Sequence, residues 1–239
     1  MCTYTLKIQL LSDTTFGRGD GVAGLVDQEV EHDRYGFPYL RGRTLKGLLS
    51  EECDNLVAVL TDVHQRRHWQ AVADRLFGVP GSTLDTQAKI HLGDACLPSD
   101  LRQAIAAQLD VEEEKKRKNS KYKPTLSPTD ILDSLTTIRR QTAIEPENGA
   151  SAEHSLRSAR VIVRELPFES QLLFETELKK DSDDDQDMLA LLAIGTLALR
   201  RVGSGRNRGR GHVKCRLFDN SNHEITKDID YIQRFGRTR

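Results

Sequence analysis

Aromatic residues make up only 5% of the 239 residues. No strand-like segment carries the aromatic motif with which an RNA-recognition sheet stacks bases, so sheet-face base stacking is excluded as the main route to nucleic acid. Cysteine is scarce as well. Cys2, Cys53, Cys96 and Cys215 share no Cys-x-x-Cys or Cys/His spacing. That argues against zinc and disulfides and for buried thiols. No apolar run approaches membrane-spanning length, and the N-terminus lacks a basic-then-apolar leader pattern. No membrane partner is expected, and the expected location is cytoplasmic. Excess charge of one sign is also missing, with 35 Lys and Arg against 36 Asp and Glu.

Local charge is another matter. From Met188 to Phe218 there is no acid, while Arg200, Arg201, Arg206, Arg208, Arg210, Lys214 and Arg216 fall within that span. A second acid-free stretch, Arg34 to Ser50, holds Arg34, Arg41, Arg43 and Lys46. Two focused basic stretches in a neutral chain suggest a polyanion groove. The sharpest feature is Gly203-Ser-Gly-Arg-Asn-Arg-Gly-Arg-Gly211. Gly203, Gly205 and Gly209 let the backbone approach a ligand, and Arg206, Arg208 and Arg210 present donor forks that fit phosphate oxygens. A solvated RGG-like segment is the competing reading; firm helix and strand signals on both sides argue against it.

Thr3 to Leu11 alternates and predicts a half-buried strand, followed by a glycine-rich loop from Phe16 to Gly24. Helical spacing runs from Thr44, the expected N-cap, to Leu60, and again from Trp69 to Phe77. A second strand is expected over Lys89 to Leu97. Leu101 to Lys118 is Ala-rich and then charge-rich, and 101–130 is expected to be a charged, mobile insertion. Leu135 to Ile144 and Ser158 to Leu166 look extended and flank an Asn148-Gly149 turn signal, so 135–166 reads as a protruding arm. A strand over Gln171 to Leu178 precedes a helix from Met188 to Leu199. Acids lead into that helix and arginines close it, as the helix dipole favours, with Gly203 expected at C′. Gly211 to Phe218 is the last strand. The order gives an α+β chain with a ferredoxin-like (RRM-like) βαββαβ core in a single domain, 1–239.

The residues resemble the RAMP superfamily of CRISPR proteins, and among them the repeated backbone subunit of type III effector complexes. Three blocks carry the resemblance. One is Gly17-Arg-Gly-Asp-Gly-Val-Ala-Gly-Leu-Val-Asp-Gln-Glu-Val30 with Gly36-Phe-Pro-Tyr-Leu-Arg-Gly-Arg-Thr-Leu-Lys-Gly47. Another is Arg75-Leu-Phe-Gly78 with Ile90-His-Leu-Gly-Asp-Ala95. The third is the glycine loop. Arg41-Gly-Arg43 departs from the Pro-Gly-Ser of many backbone subunits.

The resemblance implies a stack of copies on a guide crRNA, with complementary target RNA and other CRISPR effector subunits as partners. It places the glycine loop, Arg41, Arg43 and Lys46 on the guide backbone. It reads the arm as a thumb, with Arg139, Arg140 and Arg157 holding RNA and Ile138 and Ile144 as wedges. Asp27, in the loop after the first strand and shortly before Val30, matches the catalytic aspartate of target-cleaving members. The implied chemistry is attack of a ribose 2′-OH on the adjacent phosphate, assisted by Mg2+ or another divalent cation. Asp27 either holds the metal or orients the 2′-OH. In non-cleaving scaffold or capping relatives such an aspartate caps a turn, and that is the alternative function. Asp20 is a weaker candidate, and structural roles are expected for His32 and Asp33.

Overall fold

The computed structural model describes residues 2–79, 81, 87–145, 147, 149–152 and 155–236. Strand β1 (Cys2–Leu10) leads through a long loop into helices α1 (Gly42–Ala58) and α2 (Val63–Phe77) and the short strand β2 (Ile90–Leu92). Helices α3 (Ser99–Lys118) and α4 (Pro128–Leu135) follow, then strands β3 (Thr136–Gln141), β4 (Arg157–Ile162) and β5 (Pro167–Phe174). Helix α5 (Asp183–Ala198), strand β6 (Val213–Phe218) and helix α6 (Ile229–Gly236) complete the chain. Strands β2, β5, β1 and β6 form, in that order, an antiparallel sheet, and β3 pairs with β4 in a separate two-stranded arm.

Period-2 patterning places the sheet. Tyr4, Leu6, Ile8 and Leu10 are buried on one face of β1, opposite Leu172, Ser170, Phe168 and their neighbours on β5. On the other face Lys7 meets Glu169 and lies 4.7 Å from the Phe218 ring centroid. Helix α5 is apolar on every side from Met188 to Ala193 and buried throughout, because it packs against α1, α2, α6 and β6 at once. Gly195 makes that possible, since a Cβ there would lie 2.3 Å from Cys53 Sγ of α1. Burial pushes the Cys53 thiol up and the Cys215 thiol up to about 12, so neither is a nucleophile at neutral pH.

Several boundaries differ from expectation for local reasons. Helix α1 starts at Gly42 with Arg41 as N-cap, not Thr44. The Gly42 N–H donates 2.7 Å to the Asp94 carboxylate, so an acid beyond β2 does the capping. Helix α2 starts well before Trp69, behind Asp62, whose carboxylate accepts from the Gln65 N–H. The strand expected to Leu97 stops at Leu92 and continues as isolated pairings of Ala95 with Leu40 and Cys96 with Glu169. Gly203 is not the C′ residue of α5. The helix ends at Ala198, Leu199 is extended, and Arg201 already pairs with His212 before Gly203 is reached.

The charge-rich 101–130 segment is largely helical. Glu112 of α3 is buried and accepts from Tyr122 Oη (3.0 Å), the Thr125 N–H (2.8 Å) and Lys115 Nζ (3.2 Å), folding the polar stretch back on the helix. In the arm, Asn148 of the turn signal lies outside the described residues, while the Gly149 N–H donates to the Glu145 carbonyl.

A buried ion pair helps fix the β3–β4 pair to the body. Arg160 of β4 is 9% exposed and sits 3.0 Å from the Glu29 carboxylate, itself 3% exposed. Its Nη1 also donates to Asp133 of α4 at 2.7 Å and to Thr136 Oγ1 at 3.1 Å. Arg160→Met strands a buried carboxylate and is expected to cost about 3–5 kcal/mol in urea unfolding. Asp133→Ala removes a mostly exposed partner and is expected to cost less than about 1 kcal/mol.

Candidate functional site

The long loop after β1 is stitched to β4 and to the glycine loop. Thr14 pairs with Ile162, Thr15 with Ser204 and Gly17 with Val30. Asp27 to Glu29 then run beside β4. The Asp27 N–H donates to the Ser158 carbonyl at 2.9 Å, and the Arg160 N–H donates to the Gln28 carbonyl at 2.9 Å. Asp27 is exposed. Its Oδ2 accepts from the Ser158 N–H at 2.6 Å and from Ser158 Oγ at 3.2 Å. Those bonds, the backbone one first, with the nearby Arg157 charge, hold the carboxyl below the ordinary aspartate value of 3.8.

The glycine loop is a single 3-10 turn, Arg206–Arg208, flanked by Gly205 and Gly209, both left-handed. Its two ends are tightly packed. Gly203 has φ +76, and a Cβ there would lie 2.5 Å from the Thr15 carbonyl oxygen; at Gly211, φ +71, it would lie 1.9 Å from the Val202 oxygen. No L side chain fits either place, so the loop can leave and re-enter the fold at these points only through glycine. Arg206 pairs with Glu51 at 3.2 Å, and its carbonyl accepts from Arg201 Nη1. Among the described residues no ion pair engages Arg208 or Arg210.

These parts converge on one open cleft of about 740 Å³. Asp20, Asp27 and Gln28 line it from the first loop, Gln141, Arg157 and Ser158 from the arm, and Gly203 to Arg208 with Arg210 from the glycine loop. A smaller cleft of about 250 Å³ joins the glycine loop to the start of α1 through Arg41, Thr44, Ser204 and Arg206. Arg41 there is held at 2.7 Å by Glu31, which also accepts from Tyr39 Oη.

Not every expected RNA contact gathers here. Arg43 and Lys46 lie on α1 but line neither cleft, and burial lowers the Lys46 amine. Arg139 is turned to Asp13 at 2.8 Å, and Arg140 is exposed without lining either cleft. Ile144 is 67% exposed and Leu156 66%; Ile138 is half-buried. Asp33 accepts from the Tyr35 and Phe37 N–H groups as a turn residue. Sequence reasoning missed Gln28, Gln141, Ser158, Ser204 and Asn207. A lone polar residue in a loop or strand has no pattern of its own; its role follows from the partner that folding brings to it.

Among the described residues no group of three or more Asp, Glu, His or Cys is placed to cage a metal. Asp20 is tied to Arg18 at 2.6 Å. What the cleft offers is two ionised carboxylates, Asp20 held by Arg18 and Asp27 with arginines beside it. That suits Mg2+, which commonly takes one or two carboxylates and completes its shell with water and phosphate oxygens.

The RAMP superfamily matches the chain over residues 7–214, and the protein belongs to that superfamily. Among curated proteins none matches in sequence. In fold it is similar to a chain of the type III-B Cmr-beta complex bound to cognate target RNA. The identity is 15% and the TM-score 0.58, over 90% of this chain and 96% of that one. It is similar also to a chain of the apo state of Cmr-beta, with 14% identity, a TM-score of 0.59 and the same coverage.

Two outcomes follow from the site geometry. Because the folded pKa of Asp27 is depressed, its contribution to stability is present above the unfolded value and is lost as pH falls through the folded one. Asp27→Asn is therefore expected to flatten the acid-side decline of Tm. An unchanged decline contradicts the Ser158 clasp. Gly209→Ala meets open space and is expected to cost about 1–2 kcal/mol for left-handed backbone, whereas Gly211→Ala, with its clash, is expected to cost clearly more by the same unfolding assay.

Proposed function

We propose that this protein is a guide-RNA-binding backbone subunit of a type III CRISPR effector complex, cleaving complementary target RNA at Asp27. The observation that carries the reading is the convergence of Asp27, the arginine-bearing glycine loop and the arm base on one cleft. The reading takes the β2-β5-β1-β6 order, with helices α1 and α5 in the crossovers, as the ferredoxin-like arrangement. It takes the β3–β4 arm, with Ile144 and Leu156 exposed, as the thumb. The fold likeness to chains of an RNA-bound type III-B complex supports RNA and further effector subunits as partners.

In this reading guide phosphates seat on Arg206, Arg208 and Arg210, with Arg41 across the smaller cleft. Such contacts are independent of sequence and sensitive to salt. The ribose 2′-OH gives up its proton to water as its oxygen attacks the adjacent phosphorus, the 5′-oxygen leaves and takes a proton from water, and the products are a 2′,3′-cyclic phosphate and a 5′-hydroxyl. A lowered pKa makes Asp27 a weak base, since an efficient general base titrates near the working pH. Holding a cation or orienting the 2′-OH suits it better. A bound Mg2+ supplies charge stabilisation at the phosphate. Arg157, lining the cleft next to Ser158, holds the scissile phosphodiester in place.

A second reading rests on the Ser158 clasp. Asp27 there is a structural latch, and the protein is a non-catalytic scaffold or capping subunit. The reconstituted guide-loaded complex with labelled complementary RNA and Mg2+ separates the two. Regular cuts that vanish in Asp27→Ala, with guide binding retained, support catalysis. Absence of cuts by wild type despite tight target binding supports the scaffold.

Replacing Arg206, Arg208 and Arg210 together by Ala is expected to weaken guide binding. It should also lower the slope of log K against log salt by about 2, since each single-strand phosphate that an arginine neutralises adds about 0.7 to that slope. Filter binding across a salt series measures both.

A further inference from the structure

The Asp27 loop and the glycine loop touch through one side-chain pair far apart in sequence. Gln28 Nε2 donates to Ser204 Oγ at 2.8 Å. Both residues are half-buried and both line the main cleft. Gln28 is fixed on its backbone side, since its carbonyl accepts from the Arg160 N–H and its N–H lies 3.3 Å from the Ser158 carbonyl. Ser204 is fixed likewise, its N–H donating to the Thr15 carbonyl at 2.8 Å. Gly17 lies directly against the pair; a Cβ there would be 3.2 Å from Ser204 Oγ and 3.3 Å from Gln28 Nε2. The absence of a side chain at 17 leaves the pair its room.

The Ser204 hydroxyl accepts from Gln28 and therefore keeps its own proton to donate. No acceptor for that proton is found among the described residues. It sits between Gly203 and Gly205, at the edge shared by the main and the smaller clefts, where Arg41 and Arg206 gather. An anionic oxygen there accepts from Ser204 while Ser204 accepts from Gln28, one residue from Asp27. Such a relay strengthens both bonds by polarisation.

We propose that Gln28 and Ser204 form a positioning pair through which the guide phosphate on the glycine loop sets the place of Asp27. The inference rests on the catalytic reading of Asp27. Neither residue touches the reacting atoms; each acts through the loop it holds. Arg206 and Arg208 capture the guide, and Gln28–Ser204 converts capture into alignment of the cleaving loop.

The test uses the guide-loaded complex, with wild type, Asp27→Ala, Gln28→Ala, Ser204→Ala, the double Gln28→Ala/Ser204→Ala and Ser204→Thr. Guide affinity, target affinity and single-turnover cleavage are measured for each. Gln28→Ala and Ser204→Ala are each expected to slow cleavage about tenfold, the effect of removing one aligning hydrogen bond; Gln28→Ala keeps guide and target affinities within about twofold of wild type, whereas Ser204→Ala also removes a donor to the guide phosphate and weakens guide binding. The double variant is expected to be no slower than either single one, because both substitutions break the same bond, and Ser204→Thr is expected to restore the rate. Wild-type rates in both single variants, with Asp27→Ala inactive, overturn the coupling and leave the catalytic reading standing. Losses that multiply in the double variant, or a Gln28→Ala loss that tracks weakened guide binding, also overturn it. Undiminished cleavage by Asp27→Ala overturns the catalytic reading and this inference with it.

Discussion

The buried pair of Arg160 and Glu29 is the constraint on which the rest of the site depends. A guanidinium and a carboxylate taken out of water stabilise a fold only when their remaining hydrogen bonds are met. Arg160 meets its own through Asp133 and Thr136, and Glu29 accepts from the Val30 N–H. The pair thereby joins three segments far apart in sequence: the loop after β1, helix α4 and strand β4. With Glu29 fixed, Asp27 and Gln28 have one course along β4, and Ser158 becomes the donor that clasps Asp27. This crossing shapes one wall of the cleft, and the Gln28–Ser204 bond ties that wall to the glycine loop.

Charge is distributed around the cleft in two ways. Arg41 and Arg206 are each held by a carboxylate, while Arg208 and Arg210 have no ion pair among the described residues. The held arginines are aimed, and the others are available to a phosphate without exchanging a partner. The exposed Arg206–Glu51 pair contributes little to stability, so exchanging Glu51 for a phosphate costs the fold little, whereas the Glu31 carboxylate that holds Arg41 is buried. A chain with net charge −1 can thus carry a focused cluster of arginines, the acids that balance it being set behind or beside them.

Much of the fold was legible because periodicity reports burial. The alternation placed β1 and β6 to within a residue or two, and the acid-to-arginine polarity found α5, although that helix starts at Asp183, ahead of the expected Met188, and takes the acids into its first turn. The arm was legible as two extended runs around a turn signal. Errors fell where a distant residue decides a boundary. Asp94 caps α1 in place of Thr44, and the bridge from Arg201 to His212 keeps Gly203 away from a helix cap. Helix α4 went unrecognised although Ser127, Pro128 and Asp130 spell a capping box with proline at N1, because its eight residues are too few to show a period. In the site, Asp27 and the glycine loop were visible as motifs. Gln28, Ser158 and Ser204 were not, since single polar side chains acquire meaning from partners more than a hundred positions away.

The central claim is that guide backbone and scissile phosphate meet in the cleft between the glycine loop and Asp27. The most direct measurement is a cryo-EM structure of the assembled complex with guide and a non-cleavable 2′-deoxy target. The account predicts guide phosphates within hydrogen-bond distance of Arg206, Arg208 or Arg210, and the target phosphate at the substituted position beside the Asp27 carboxylate. Guide density on another face of the subunit, or a target backbone that passes the arm without approaching Asp27, would contradict it.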